Sequence, residues 1–367
     1  MTIDDLLPII GEGLKKKISK ENILTSQIEI GYLKRIDKFF NKGIHYYLDP
    51  KSPEISHDAS IFFRKQKFDI DLNIGAKKIV NQFEEFKISL SAIAKLADIR
   101  IDRSLPIYKI LDSPSQIAQE IRTLLNPTFI SDKKDFLKSI ISKLAEQNIL
   151  VFEFVETWNK KDKANIDGFF LNPNVIVLKR QQTSFRREIF TLIHELGHYL
   201  LNEEEIEQID YQSLARANLN KIEKWCNDFA YYFLIGDSIQ EMESINIANS
   251  SNDYQFELIR KISNDTHLSQ IALFTRLLFQ KKMSQTDYNV VKADLEEQYR
   301  KHDHELKKQR ELDKENGLPV GGSTPKPINS PLLISTIQTA FYEGVINEYE
   351  VCKRLNIKPD KLETVLQ

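Results

Sequence analysis

The chain has 367 residues, of which 41% are hydrophobic and 28% charged, with a formal net charge of −2 and a sequence pI of about 6.4. This balance allows a substantial core and more than one structural unit, and it excludes a disordered class and a global basic field that would pull the chain onto nucleic acid or anionic lipid. Two cysteines, Cys226 and Cys352, exclude a disulfide framework. The first residues lack a basic and apolar leader and no apolar run approaches membrane-spanning length, so the expected compartment is the cytoplasm, with no membrane partner.

Residues 1 to about 50 read as helical, with Leu6, Leu7, Ile9 and Ile10 leading into Gly11, Gly13 and the basic run Lys15, Lys16 and Lys17. The stretch Leu24–Tyr32 has part of the pattern of the turn and second helix of a helix-turn-helix, in which Ser26, Gln27 and Lys34 would reach base edges. The plain alternative is a packed amphipathic helix. Ala59 to Lys65 lead into a long helical reading from about Asp71 to Ile99, and Pro106 punctuates it. Asp112 or Ser113 as N-cap, with Pro114 in the first turn, opens a helix over Gln116–Leu125.

Phe136, Leu137, Ile140, Ile141 and Leu144 mark another amphipathic helix. Ile149–Val155 is the clearest strand, and shorter strands follow near Gly168–Leu171 and Val175–Leu178. The expected product is a small, mainly antiparallel sheet. An extended peptide can add to the edge of such a sheet, and Asn174–Lys179 is the candidate edge, with an internal position as the alternative.

The segment Phe190–Leu201 contains H-E-x-x-H. On a helix, His194 and His198 lie one turn apart on one face and both imidazoles reach a single metal ion, while Glu195 sits about 100° round, in position to act as a general base. Arg186 and Arg187 open this helix; arginine in a first turn opposes the macrodipole, which points to side-chain pairing or a substrate carboxylate as alternatives, with simple surface exposure the preferred reading. A catalytic zinc takes a third protein ligand, and Glu223, on the helical stretch Ile222–Leu234, is the best candidate. The competing carboxylates Glu203, Glu204, Glu205 and Glu207 follow the histidines too closely to fold back easily.

These residues carry a resemblance. Arg186 through Leu201, followed by Glu223-x-x-Cys226-Asn227-x-Phe229-Ala230, is similar to the motifs of the ImmA/IrrE family of metallo-endopeptidases. The resemblance implies His194, His198 and Glu223 as zinc ligands and Glu195 as the catalytic base, in a core reaching from about Ala59 to Phe279. It also implies that Ile166–Phe170 and Val175–Leu178 belong to the sheet leading into the active-site helix. Cys226 in place of Ala, Leu234-Ile235-Gly236-Asp237 in place of Leu-Met-Pro, and Asn202 in place of His are departures from the family pattern. The implied fold class is α+β, mainly helical: a zincin-like protease core, with a small mixed or antiparallel sheet beside the H-E-x-x-H helix, and helical N- and C-terminal extensions. The implied partner is a protein substrate, a transcriptional repressor or similar regulator, in stress responses or mobile-element transfer.

Asn227 and Asp228 are the candidates for orienting the imidazoles. Tyr199, Tyr231 and Tyr232 are candidates for oxyanion stabilisation, with aromatic core packing the preferred reading of each. Ser269–Phe279 reads as the helix that ends the core, Asp287–Asn316 as a solvated helix of mixed charge on which His302 and His304 are surface residues, and Gly317–Pro327 as a linker. Leu332–Leu366 reads as two or three short helices, a cap on the protease or a small partner- or DNA-binding appendix.

The domain reading is a helical N-terminal region (1–105), a zinc metallopeptidase core (106–283), a charged helix (284–316), a linker (317–330) and a small helical segment (331–367). Two function classes follow. One is a zinc endopeptidase; the other is an antitoxin-like regulator that binds DNA or a partner and keeps the zinc fold without proteolysis. An intact Glu195 favours the first. The His/His/Glu donor set also suits Mn or Fe.

Overall fold

Among the described residues, three helices, α1 (Ile3–Gly11), α2 (Ile30–Phe40) and α3 (Ile44–Leu48), precede the long α4 (Ile74–Leu96). Leu6, Ile10, Ile18 and Ile36 gather into a small core of their own, and the Arg35 guanidinium ties the turn after α1 by donating to the carbonyls of Ile10 and Glu12. The structure is a computed structural model describing residues 3–14, 17–25, 27–40, 44–48, 72–155, 163–180, 184–204, 206–207, 221–317 and 326–366. Lys15, Lys16, Ser26, the stretch Ala59–Lys65, the expected helix start at Asp71 and linker residues 318–325 lie outside the described residues.

Helices α5 (Pro114–Leu125) and α6 (Lys133–Glu146) lead into the sheet. Ser113 caps α5 with Pro114 at its first position, and the Asp132 side chain accepts from the backbone N–H of Asp135 to cap α6. The strands are β1 (Leu150–Val155), β2 (Gly168–Leu171), β3 (Val175–Arg180) and the two-residue β4 (Ile206–Glu207), in the order β1-β3-β2-β4. β1 runs parallel to β3, and β2 is antiparallel to both β3 and β4, so the sheet is mixed.

This order corrects the edge-strand expectation: β3 is internal, and among the described residues β4 stands at the edge in place of Asn174–Lys179. The physical reason is that β1 pairs with β3 along its whole length, from Leu150 opposite Val175 to Val155 opposite Arg180. Such a strand is covered on both sides and both faces and reads as an unbroken apolar run.

Strand side chains alternate between two cores. Val151, Phe170, Ile176 and Leu178 join the core built around α7 (Phe185–Leu201) and α8 (Lys221–Ile235). Phe152, Phe154, Phe169, Val175 and Val177 face the other way, against α4 and the C-terminal helices. There Phe83 of α4 stacks on Phe152, with ring centroids 5.7 Å apart, and Phe86 meets the same ring edge-on at 5.1 Å.

The chain continues through α9 (Ile239–Ser244), α10 (Phe256–Thr266), α11 (Gln270–Phe279), α12 (Gln285–Glu315), α13 (Pro331–Tyr342), α14 (Glu348–Leu355) and α15 (Leu362–Leu366). Only Tyr288 and Val291 of α12 are buried; its charges pair along its own surface, as in Lys307 with Asp303, and His302 and His304 are exposed. By contrast, α13 to α15 bury Leu333, Ile337, Ala340, Val351, Leu355 and Leu362 in the core they share with α4. Among the described residues no helix is long and apolar enough to cross a membrane.

Candidate metal centre

Fourteen of the seventeen residues of α7 are buried, which is why its sequence is apolar almost all round apart from the groups with chemistry. Its ends are fixed. The Ser184 side chain accepts from the backbone N–H of Arg187 at the start, and Asn202 ends the helix in the left-handed conformation, φ 56°. Arg103 adds a cation at the C-terminus: one guanidinium nitrogen donates to the Tyr199 carbonyl at 2.5 Å, and the group lies 3.8 Å above the Tyr199 ring.

Helix α8 crosses α7 at Gly197, where an added Cβ would come within 3.1 Å of the Cα, Cβ and Sγ of Cys226. The close approach brings Glu223 opposite the two histidines. At its far end α8 is closed by Arg122, which donates to the Phe233 carbonyl at 2.8 Å, and by Gly236, whose positive φ of 48° and lack of Cβ leave room for that guanidinium. Leu234-Ile235-Gly236-Asp237 therefore builds a glycine-ended helix terminus.

His194, His198 and Glu223 converge from these two helices, with one ligand atom of each lying within 4.8 Å of the others. The two Nε2 atoms are 3.1 Å apart, the His194 Nε2 is 3.1 Å from one Glu223 oxygen, and the His198 Nε2 is 3.0 Å from the other. All three residues are 1% exposed, so water does not offset their mutual repulsion.

Asn227 Oδ1 lies 3.0 Å from His194 Nδ1, so His194 donates from Nδ1 and turns the lone pair of Nε2 toward the cluster. Three acceptors facing one another in a buried space need a cation between them. Two donors bound tetrahedrally to zinc at about 2.0–2.1 Å stand roughly 3.3 Å apart, close to the separations seen, so the residues fit a zinc ion. Burial pushes the Glu223 carboxyl up, but where protons on His198 and His194 stand in for that cation, their charges outweigh burial and hold the group well below the usual carboxylate range.

Glu195 is 3% exposed and rests against β2, where an added Cβ on Gly168 would meet its Cγ at 3.2 Å and Thr191 Cγ2 at 2.7 Å. Arg187, Thr191 and Glu195 form one stripe of α7 at four-residue steps. At its upstream end Arg187 donates to Asp167 Oδ2 at 2.5 Å, and the Thr191 hydroxyl donates back to the Arg187 carbonyl at 2.9 Å.

The surface reading of the two arginines is thereby corrected. Arg187 clamps α7 to the start of β2, and Arg186 donates to Ser263 Oγ and Asn264 Oδ1 at 2.7 and 2.9 Å, tying α7 to α10. Neither partner was visible in the sequence, because both lie far away along the chain.

Asp228 does not reach an imidazole; it pairs with Arg276 at 2.5 Å. Tyr232 Oη accepts from the same guanidinium at 2.6 Å, Tyr231 is buried beside it, and Tyr199 is fully buried with its Oη accepting from the Leu105 backbone at 3.4 Å, so all three tyrosines serve packing. Glu204 is committed to the turn after β2, accepting from the Asn172 backbone at 2.8 Å, and Glu203 is exposed. Glu205 and the side chain of Glu207 lie outside the described residues.

A second buried charge group stands at the start of α7. Burial pushes the Glu153 carboxyl up to about 7, against the hydrogen bond from Ile328 and the charge of Arg180. A carboxyl raised above its unfolded value stabilises the fold fully below the unfolded pKa and loses that contribution as pH rises through the folded one. Between about pH 4.5 and 7 the wild type is therefore expected to lose on the order of 3 kcal/mol from this group, and Glu153→Gln to remove that slope in urea melts. Identical pH profiles for the two proteins would contradict it.

Residues 145–242, which span β1 to α9 and so contain His194, Glu195, His198 and Glu223, match the Peptidase_M78 family model, described as the IrrE N-terminal-like domain. The middle of the chain is thus similar to a metallopeptidase-type domain over about a quarter of its length. No curated protein and no solved structure matches the chain.

Proposed function

We propose that this chain, built around an IrrE N-terminal-like domain, is a zinc-dependent endopeptidase that cleaves a specific protein substrate, a repressor-type regulator. The observation that carries the reading is the buried convergence of His194, His198 and Glu223 with Glu195 one residue along the same helix. When bound by the two Nε2 atoms and the Glu223 carboxylate, zinc supplies Lewis-acid polarisation and makes water nucleophilic near neutral pH.

The residues divide the remaining work. Asn227 holds His194 in the tautomer whose Nε2 is free to ligate. The Glu195 carboxylate, fixed against Gly168, takes a proton from the attacking water and returns it to the leaving amine nitrogen, general acid and base in turn. The substrate approaches as an extended segment that adds to the sheet at β4, the edge strand that follows α7 directly. A flexible or unfolded stretch of a regulator satisfies this geometry; a folded surface does not.

The direct test is Glu195→Gln in the zinc-loaded chain, assayed against the regulator whose cellular level rises when the variant replaces the wild type. Metal content is expected to stay unchanged while cleavage falls by a factor of about 100 or more. Cleavage that survives the substitution would leave the binding-only regulator as the better account.

A further inference from the structure

The charge group at the start of α7 connects elements that are distant in sequence. Glu153 of β1 has a fully buried side chain, and its Oε2 accepts from the backbone N–H of Ile328 at 2.7 Å. Ile328 belongs to the strap that carries the chain from residue 326 into α13. The same oxygen is 3.6 Å from Nε of Arg180 on β3, and Nη1 of Arg180 donates to Glu188 Oε2 at 2.6 Å. The guanidinium also lies 4.5 Å over the Phe185 ring. Phe185 and Glu188 form the first turn of α7, the helix that presents His194, Glu195 and His198.

Two features make this group more than a local ion pair. One arginine faces two carboxylates with side-chain exposures of 8%, 0% and 3% for Arg180, Glu153 and Glu188, so a change at any member alters the field on the others with little solvent screening. The strap and the helix it leads into together bridge both cores: Ile328 of the strap packs against the one that holds α7, whereas Leu333 and Ile337 of α13 pack into the one that holds α4.

We infer that Ile328, Glu153, Arg180 and Glu188 form a positioning relay, through which the docked C-terminal strap sets the first turn of the metal-binding helix. Seating the strap places a backbone donor on Glu153, which orients Arg180, which holds Glu188 and Phe185. Releasing the strap, as a partner that captured α13 to α15 would do, frees that turn and loosens the ligand helix from its start. The inference leans on the endopeptidase reading only for its catalytic consequence, since the relay itself is read out without metal or substrate.

The test uses the full chain at pH 8, above the Glu153 pKa, with amide hydrogen exchange over residues 185–192 and zinc affinity by chelator competition as readouts. Ile328→Pro removes the donor, whereas Ile328→Ala trims the side chain and keeps it. Exchange over 185–192 is expected to rise about tenfold in the proline variant and to stay within about twofold of wild type in the alanine variant.

Combining Ile328→Pro with Arg180→Met is expected to add nothing beyond Arg180→Met alone, because both cut the same relay. Should Ile328→Pro destabilise the whole chain, Glu153→Gln, which keeps an acceptor for Ile328 but drops the charge facing Arg180, is expected to quicken exchange at 185–192 and leave 326–330 protected. The relay is overturned if exchange changes only in the strap and α13, or if the two substitutions act as independent multiplicative factors. Loss of zinc binding in wild type would sink the metal reading and leave the exchange result standing.

Discussion

Glu223→Ala is expected to leave the purified chain without metal, where the wild type holds about one zinc per chain. Glu223 is the only carboxylate among the described residues that meets both histidines, and it does so with one oxygen on each. Alanine leaves two neutral donors on a single helix, and these retain zinc too weakly to survive dialysis. Stability follows by linkage, since a ligand held at 1,000 times its dissociation constant stabilises the native state by about 4 kcal/mol. The wild type should therefore melt several degrees lower after chelator treatment, while the Glu223→Ala midpoint should not respond to zinc or chelator. Elemental analysis paired with thermal melts checks both halves. Equal zinc content in the two proteins would mean that these residues do not form the metal site.

The parts of this centre differ in how plainly the sequence announces them. His194, Glu195 and His198 are separated by steps that a helix converts directly into geometry, and Glu223 stands in a second apolar-periodic stretch, so local periodicity suffices for the ligand set. One helix start was legible for the same reason: Ser113, followed by Pro114, stands at the N-cap of α5, whereas the caps Ser184 and Ser284 lie two or three residues ahead of the expected starts of α7 and α12.

What local pattern cannot carry is the identity of a partner far along the chain. Asp167 for Arg187, Ser263 and Asn264 for Arg186, and Ile328 for Glu153 are choices made by tertiary packing, and a charged side chain at a helix start reads the same whether it is solvated or clamped. The position of β3 failed for a related reason. An apolar run specifies burial, while which strand pairs on each side depends on the crossover from β1, which leaves no trace in β3 itself. β4 and α9, of two and six residues, are too short to show a period, whereas α10 carries Ile259, Ile262, Ser263 and Thr266 at three- and four-residue steps, a helical signal the sequence expectations above do not include.

Gly168→Ala is expected to cost activity far out of proportion to its size. The new methyl would stand 2.7 Å from Thr191 Cγ2, 3.1 Å from the Val177 carbonyl oxygen and 3.2 Å from Glu195 Cγ. The first separation is below any tolerated contact, and none of the three neighbours can step aside easily. Val177 is in the middle of β3, paired with Phe169. Thr191 is fully buried and bonded to its own helix, and Glu195 is packed on the same stripe. The strain must go into separating α7 from β2, against the Asp167 clamp on Arg187, at a cost of about 1–3 kcal/mol for overpacking of this kind.

The shift falls on the general base more than on the ligands, because His194 and His198 face α8 while Glu195 faces the sheet. A displacement near 1 Å at a reacting group costs on the order of 100-fold in rate, so kcat should fall about that far while zinc content and KM change little. Measuring the two kinetic constants and the metal content of the same preparation separates the cases. A proportionate loss of zinc would mean that the strain spreads through the whole helix, and unchanged kcat would mean that Glu195 does not take its working position from β2.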